Sequence, residues 1–392
     1  MATTIGERAK AFRTILGVDR LGRGVEVVEA PPGVLDPTDP LGATFRGAVS
    51  DRLAAFVDRQ APAMTAIGPE LDGVRSMAVA LLAGGKRLRP AFFVWGFVAA
   101  RGLPPEAELS PLLDAAGSFD LLHASALVHD DYMDASDTRR GRPATHKAFE
   151  ALHRERGWTG GPEQYGASAA ILLGDLLLSW SDELLRRCGM PHDVVRDALA
   201  FFDTTRSEVI AGQFLDVSVQ ARGESDVEQA MRVLRYKSAK YSIERPLHIG
   251  AALAGASPDV LASLTAFGLP LGEAFQLRDD LLGVYGDPEA TGKPAGDDLT
   301  EGKRTVLVAL ALERADATDA QRLDESLGSA LSEAEVAELR RIIDASGAQA
   351  EVEHRIDALT TESLAALDRA PVTDAARTVL RDLAAAATQR TL

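Results

Sequence analysis

The chain has 392 residues, enough for about two to four ordinary domains or one large one. Its 42 Lys and Arg against 58 Asp and Glu leave a formal charge of −16, which argues against wrapping a polyanion and hence against a nucleic-acid partner. With 46% hydrophobic and 26% charged residues it can bury a core, excluding global disorder and a fibrous repeat, and the lone Cys188 excludes an intrachain disulfide or a cysteine metal cluster.

Residues 1–44 are mixed in character and include the proline-rich PPGVLDPTDP, so they are read as an N-terminal extension. The start of the chain lacks the long apolar stretch of a secretory signal. No later window gives about 18 apolar residues free of charges and turn formers, and the expectation is a soluble, cytoplasmic protein without an integral membrane segment. From about residue 45 to 392, Ala- and Leu-rich stretches carry apolar residues at helical spacing, as in Leu53, Phe56 and Val57. Period-two β-branched runs do not recur, and no linker marks a second domain, so the reading is a single all-α domain.

Between two apolar helical runs lies Gly84-Gly85-Lys86-Arg87-Leu88-Arg89-Pro90. Paired glycines let backbone approach an anion closely, and Lys and Arg supply point-charge and forked contacts to phosphate oxygens. Alone, this segment is equally well a helix end with a solvated basic turn. The spacing of a P-loop is absent.

Phe119 to His146 opens with the spacing of a buried helix and runs into Asp130, Asp131 and Asp134. Asp130 and Asp134 stand at i and i+4, so their carboxylates stack one turn apart and repel unless a cation intervenes. A hard oxygen-seeking ion such as Mg²⁺ suits this cluster, because it takes one or two carboxylates and completes its octahedron with water and phosphate oxygens. The basic turn Arg139-Arg140-Gly141-Arg142 follows at once.

The second acidic segment, from Gly272 to Thr305, repeats the arrangement: Gln276 and Phe275 precede Asp280 and Asp279 by one turn, and Lys293 and Lys303 follow in glycine-rich loops. A solvated acidic helix end explains either segment alone, but two in series are harder to explain that way. His123, two turns before Asp130, and Lys237, in an otherwise apolar helix, each have an ordinary structural explanation, as a core histidine and a surface or snorkelling lysine.

Taken together, GGKRLRP at 84–90, LLHASALVHDDYMD with RRG at 121–141, GQFLD at 212–216, YKSAKYS at 236–242, FQLRDD at 275–280 and the two loop lysines resemble the trans-isoprenyl diphosphate synthases, or polyprenyl synthetases. Within that family the chain looks most like the actinobacterial type of geranylgeranyl diphosphate synthase. The resemblance covers roughly residues 45–390. It implies an isoprenoid-synthase helical bundle around a metal and diphosphate cavity, and a homodimer. It makes Asp130 and Asp134, with Asp131 helping, ligands of two Mg²⁺ ions, and gives a third ion to Asp279 with Asp280. It further implies that Arg139, Lys237, Gln276, Lys293 and Lys303 clamp an allylic diphosphate, while Lys86, Arg89, His123 and Arg140 bind isopentenyl diphosphate. Ser238 stands where the family usually has threonine, and Gly283 where a third aspartate is common.

The implied reaction joins isopentenyl diphosphate head to tail onto dimethylallyl, geranyl or farnesyl diphosphate through an allylic cation, with no side-chain nucleophile. Loops such as 153–166 are expected to exclude water. Leu122, Ser125 and Ala126, one to two turns before Asp130, line the expected path of the growing tail. Ser125 and Ala126 are too small to stop a C15 chain, so the expected product is C20 or somewhat longer. Two rivals stay open: a class I terpene cyclase, although its Asn-containing metal motif has no counterpart in a chain lacking asparagine, and a silent regulatory subunit, although such subunits lose the aspartates retained here.

Overall fold

The computed structural model of the chain describes residues 30–31, 33–223, 226–286 and 296–389. Helices α1 (Ala43–Ile67) and α2 (Leu71–Leu82) lead to α3 (Leu88–Arg101), whose residues from Pro90 to Ala99 are all buried. A helix apolar on every side belongs at the centre of a bundle, and α3 packs against α4 (Glu106–Met133), α9 (Arg245–Leu253) and α16 (Asp374–Thr388). Four further helices separate these elements: α5 (Thr145–Glu155), α6 (Pro162–Arg186), α7 (His192–Arg222) and α8 (Val227–Leu234). The all-α expectation holds. Its one exception among the described residues is a short hairpin of β1 (Thr138–Arg139) and β2 (Arg142–Pro143), with Arg139 paired to Arg142.

Ser257 caps α10 (Pro258–Tyr285) by accepting the backbone N–H of Val260, and Pro258 opens the first turn, where its missing donor costs nothing. By length and composition α10 alone among the described residues could cross a membrane, yet half of its apolar window is buried inside the protein. The helix joins two apolar clusters. Its first half packs Leu264, Phe267 and Leu271 into the core built around α3 and α4. Its second half packs Leu277, Leu281 and Val284 against α12 (Val306–Arg314), α14 (Glu333–Ala345) and α15 (Ala348–Arg369). The short helices α11 (Asp297–Thr300) and α13 (Ala317–Ser326) complete this side.

Residues Arg235–Glu244 form a π-helix wedged between α7 and α10. Close approach is possible because glycine faces it from both neighbours. A Cβ on Gly212 would lie 2.3 Å from the Lys237 amide nitrogen, and one on Gly272 would lie 2.5 Å from the Ala239 carbonyl oxygen.

Candidate active site

One cavity of about 1330 Å³ opens at the junction of the two clusters. Lys86, Arg89, His123, Asp130, Arg139, Arg140, Lys237, Ser238, Gln276, Asp279, Asp280 and Lys303 line it, together with Leu122, Ser125 and Ala126. Residues remote in the chain thus meet as the motifs imply. Lys293 lies outside the described residues.

Its basic wall begins in the turn before α3. Arg87 takes left-handed backbone (φ 54°) and folds inward, donating to Asp120 at 2.7 Å, Ser50 at 2.9 Å and the Leu82 carbonyl at 2.6 Å. That anchor holds the turn, leaving Lys86 exposed and Arg89 at the first turn of α3, where the helix N-terminus adds positive potential. Arg140 and Gly141, at the tip of the hairpin, both have positive φ, the backbone of a type I′ turn. Arg139 donates its Nε to Asp131 at 2.7 Å. Burial, then the charges of Arg89, Arg140 and Arg139, push the pKa of His123 well below its usual value, so its imidazole is neutral.

The acidic wall carries its own cations. Asp130 accepts from Lys237 Nζ and Gln213 Nε2, both at 3.0 Å, and Lys237 also reaches Asp216 at 2.5 Å. Burial opposes ionisation of Asp130, but Lys237 and Lys303 overcome it and hold the carboxyl below the usual range. Lys237 is therefore a half-buried ion-pair partner, not the surface lysine its local sequence allows. Lys303 lies 3.5 Å from Asp134 and 3.4 Å from Asp298, and also pairs with Glu301. Asp134, with its side chain only 3% exposed, is pushed up to about 6 by burial and the neighbouring Asp130. Asp280, accepting from Gln276 at 2.9 Å as the i, i+4 spacing predicts, is pushed up to about 8 by burial, with Asp298 and Asp279 adding repulsion.

Two details refine the expectations. Asp131 and Asp134 do not line the cavity: Asp131 is held by Arg139, and Asp134 sits beneath Lys303. Gly283 is compensated in space. A Cβ there would lie 1.9 Å from Asp298 Oδ2, so the carboxylate of Asp298 fills the region that a side chain at 283 would enter. Sequence reasoning gave no role to Gln213, Asp216, Tyr241, Asp298 or Glu301. The first two lie within the noted GQFLD motif, and Asp298 and Glu301 within an acid-rich stretch before Lys303, but only Lys303 was singled out. None of residues 153–166 lines the cavity, and His153, Trp158 and Tyr165 pack on one another instead. The expected water-excluding role of that loop is not supported.

Among the described residues no three acidic, His or Cys side chains already converge on a point, because lysines occupy the spaces between them. The donor set nonetheless fits an oxygen-seeking cation. Asp134 Oδ2 is buried without a hydrogen-bond partner and, among the described residues, has only the Lys303 ammonium at 3.5 Å as an ion-pair partner, and Arg89 Nε is a buried, unpartnered donor on the basic side. A cation–diphosphate complex satisfies both kinds of orphan.

Residues 73–345 match the family described as Polyprenyl synthetase. The chain is 36% identical to the short chain isoprenyl diphosphate synthase of Methanothermobacter thermautotrophicus, over 68% of this chain and 75% of that one. It is 34% identical to the geranylfarnesyl diphosphate synthase of Aeropyrum pernix, over 75% and 86%. The crystal structure of geranylgeranyl pyrophosphate synthase from Corynebacterium glutamicum, complexed with isoprenyl diphosphate and magnesium, superposes with a TM-score of 0.86 at 43% identity, covering 88% of this chain and 99% of that one. Motifs, fold and cavity agree with these likenesses, and the chain belongs to the polyprenyl synthetase family.

Proposed function

We propose that this trans-prenyltransferase condenses isopentenyl diphosphate with dimethylallyl, geranyl or farnesyl diphosphate to give geranylgeranyl diphosphate (C20) or a somewhat longer trans product. The observation that carries this reading is a single cavity that brings the carboxylates of Asp130, Asp279 and Asp280 together with the cations of Lys86, Arg89, Arg139 and Arg140.

In this reading Asp130 and Asp279, with Asp280 beside them, would hold Mg²⁺ from the cavity wall, and Asp131 and Asp134 would join in holding about three ions once Arg139 and Lys303 yield their contacts. When bound, magnesium supplies positive charge against the diphosphate that departs from the allylic carbon. Lys237, Arg139, Gln276, Lys293 and Lys303 orient that diphosphate, so the C1–O bond breaks heterolytically and leaves an allylic cation. Lys86, Arg89, His123 and Arg140 hold isopentenyl diphosphate with its double bond toward the cation. The double bond attacks, a new carbon–carbon bond forms, and the proton lost goes to the released diphosphate. Leu122, Ser125 and Ala126 border the space for the tail.

A homodimer is part of the same reading. Ile210, Phe214 and Val217 form an exposed apolar stripe at i, i+4 and i+7 on α7, and Ile171 and Leu172 on α6 are exposed as well. The packing of α10 into the two cores supports its reading as a core helix and not a membrane span, and a cytoplasmic location is part of the same reading.

The test incubates purified protein with Mg²⁺, isopentenyl diphosphate and, separately, C5, C10 and C15 primers, and identifies dephosphorylated products by mass. Products ending at C20 are expected. C30 or longer keeps the chemistry and moves the floor of the tail pocket, whereas a cyclised hydrocarbon, or no elongation with any primer, overturns the reading.

A further inference from the structure

We propose that Tyr241 is a positioning residue for the diphosphate of isopentenyl diphosphate: its hydroxyl joins Arg89 to His123 and holds His123 in the tautomer that carries its proton on Nε2. This rests on the assignment of the basic wall to that substrate.

Tyr241 projects from the π-helix one turn beyond Lys237, is 7% exposed and lines the cavity. Its hydroxyl lies 2.9 Å from Arg89 Nη2 and 3.1 Å from His123 Nδ1, and the Arg89 guanidinium carbon stands 4.5 Å from the centre of its ring. The same Nη2 also donates to Ser242 Oγ at 2.8 Å. Both hydrogens of Nη2 are thereby used, and the guanidinium is fixed in rotation. Its Nε–H, buried with no partner among the described residues, is left for an anion.

Arginine can only donate, so the phenol oxygen accepts from Arg89 and has one proton of its own to give. The acceptor within reach is Nδ1 of a neutral His123, whose ring proton then sits on Nε2. A neutral donor and a rotationally locked guanidinium, both bordering the cavity, are therefore set by one hydroxyl. Among the described residues the Tyr241 hydroxyl makes its hydrogen bonds to Arg89 and His123 and not to Lys237, Gln276 or Asp130, and Arg139 and Asp130 act on His123 only through their charge, so removing the hydroxyl falls mainly on the isopentenyl half of the site.

Tyr241→Phe keeps the ring beneath Arg89 and removes both hydrogen bonds. Calorimetry on the full chain with Mg²⁺ is expected to show a roughly three- to tenfold rise in Kd for isopentenyl diphosphate. Kd for geranyl diphosphate should change less than about twofold. The ¹⁵N shifts of the His123 ring should move from an Nε2–H tautomer toward a mixture. Ser242→Ala, which removes the other acceptor of Arg89, should weaken isopentenyl diphosphate but leave the His123 tautomer as in the wild type. An unchanged Kd in Tyr241→Phe, an equal loss for both diphosphates, or an unchanged tautomer overturns the proposal while leaving the condensation reading intact. Wild-type protein that binds geranyl but not isopentenyl diphosphate overturns both.

Discussion

Asp280 and Asp134 bear a cost that a metal-free protein must carry. Each is an aspartate whose folded pKa lies above the ordinary 3.8, at about 8 and about 6. The folded state binds these protons more tightly than the unfolded chain. The contribution of these two groups to the stability of the metal-free protein therefore falls as pH rises from about 4, the Asp134 part complete above about 6 and the Asp280 part above about 8. In EDTA, Asp280→Asn should raise the melting temperature by a few degrees at pH 8.5 and by less at pH 5. Equal effects at both pH values would contradict this. Mg²⁺ should in turn raise Tm more at pH 8.5 than at pH 6, since its ligands must lose protons to bind. Gly283→Asp should lower stability, because the new side chain enters space held by Asp298, and a melt at or above the wild-type temperature would count against that packing. At the tail end, Ser125 donates to the Gly174 carbonyl at 2.7 Å and is 3% exposed, so enlarging it also breaks the α4–α6 contact. Ala126 is half-buried on the cavity and gives the cleaner test. Ala126→Phe should shorten the product from C20 to C15, read by mass, and an unchanged product would remove this residue from the tail wall.

At the level of elements, the π-helix organises the centre of the site. It presents Lys237 to Asp130 and Tyr241 to Arg89 from successive turns, and only glycines at 212 and 272 allow its neighbours so near. Gly212→Val should cost about 1–3 kcal/mol and displace Lys237. It should reduce turnover with any primer while circular dichroism still shows a helical protein. Wild-type stability and turnover would show that the backbone contact is dispensable. Elements also divide what was readable beforehand. The helices bearing Asp130 and Asp280 could be inferred because apolar spacing and i, i+4 stacking are properties of adjacent turns. The π-helix could not, because it arises from packing between α7 and α10. The hairpin around Arg140 was visible only as a basic turn, since two-residue strands carry no periodicity.

For the whole molecule, the cavity falls at the junction between two apolar clusters, with α10 continuous across both. Helix α4, from the first cluster, and the end of α10, from the second, thus bring Asp130 and the Asp279–Asp280 pair to one space. The exposed stripe of Ile210, Phe214 and Val217 on α7 itself borders the cavity, so a second chain covering it would close the cavity on that side. Phe214→Glu should halve the mass seen by light scattering. A wild-type protein that is already monomeric would set the stripe aside.

By itself the sequence determined the acid and base inventory, the helical class and the local stacking of carboxylates, because each depends on residue type and on neighbours within two turns. It also carried the family resemblance, through motifs whose order along the chain is visible without a fold. Tertiary structure decided which cation answers which acid, that Asp298 fills the space beside Gly283, and that Asp131 serves Arg139. It also placed Tyr241 against Arg89 and His123, from which it is separated by 152 and 118 positions in the chain. Such pairings depend on how helices pack, and one sequence holds no periodic signal for contacts at that separation.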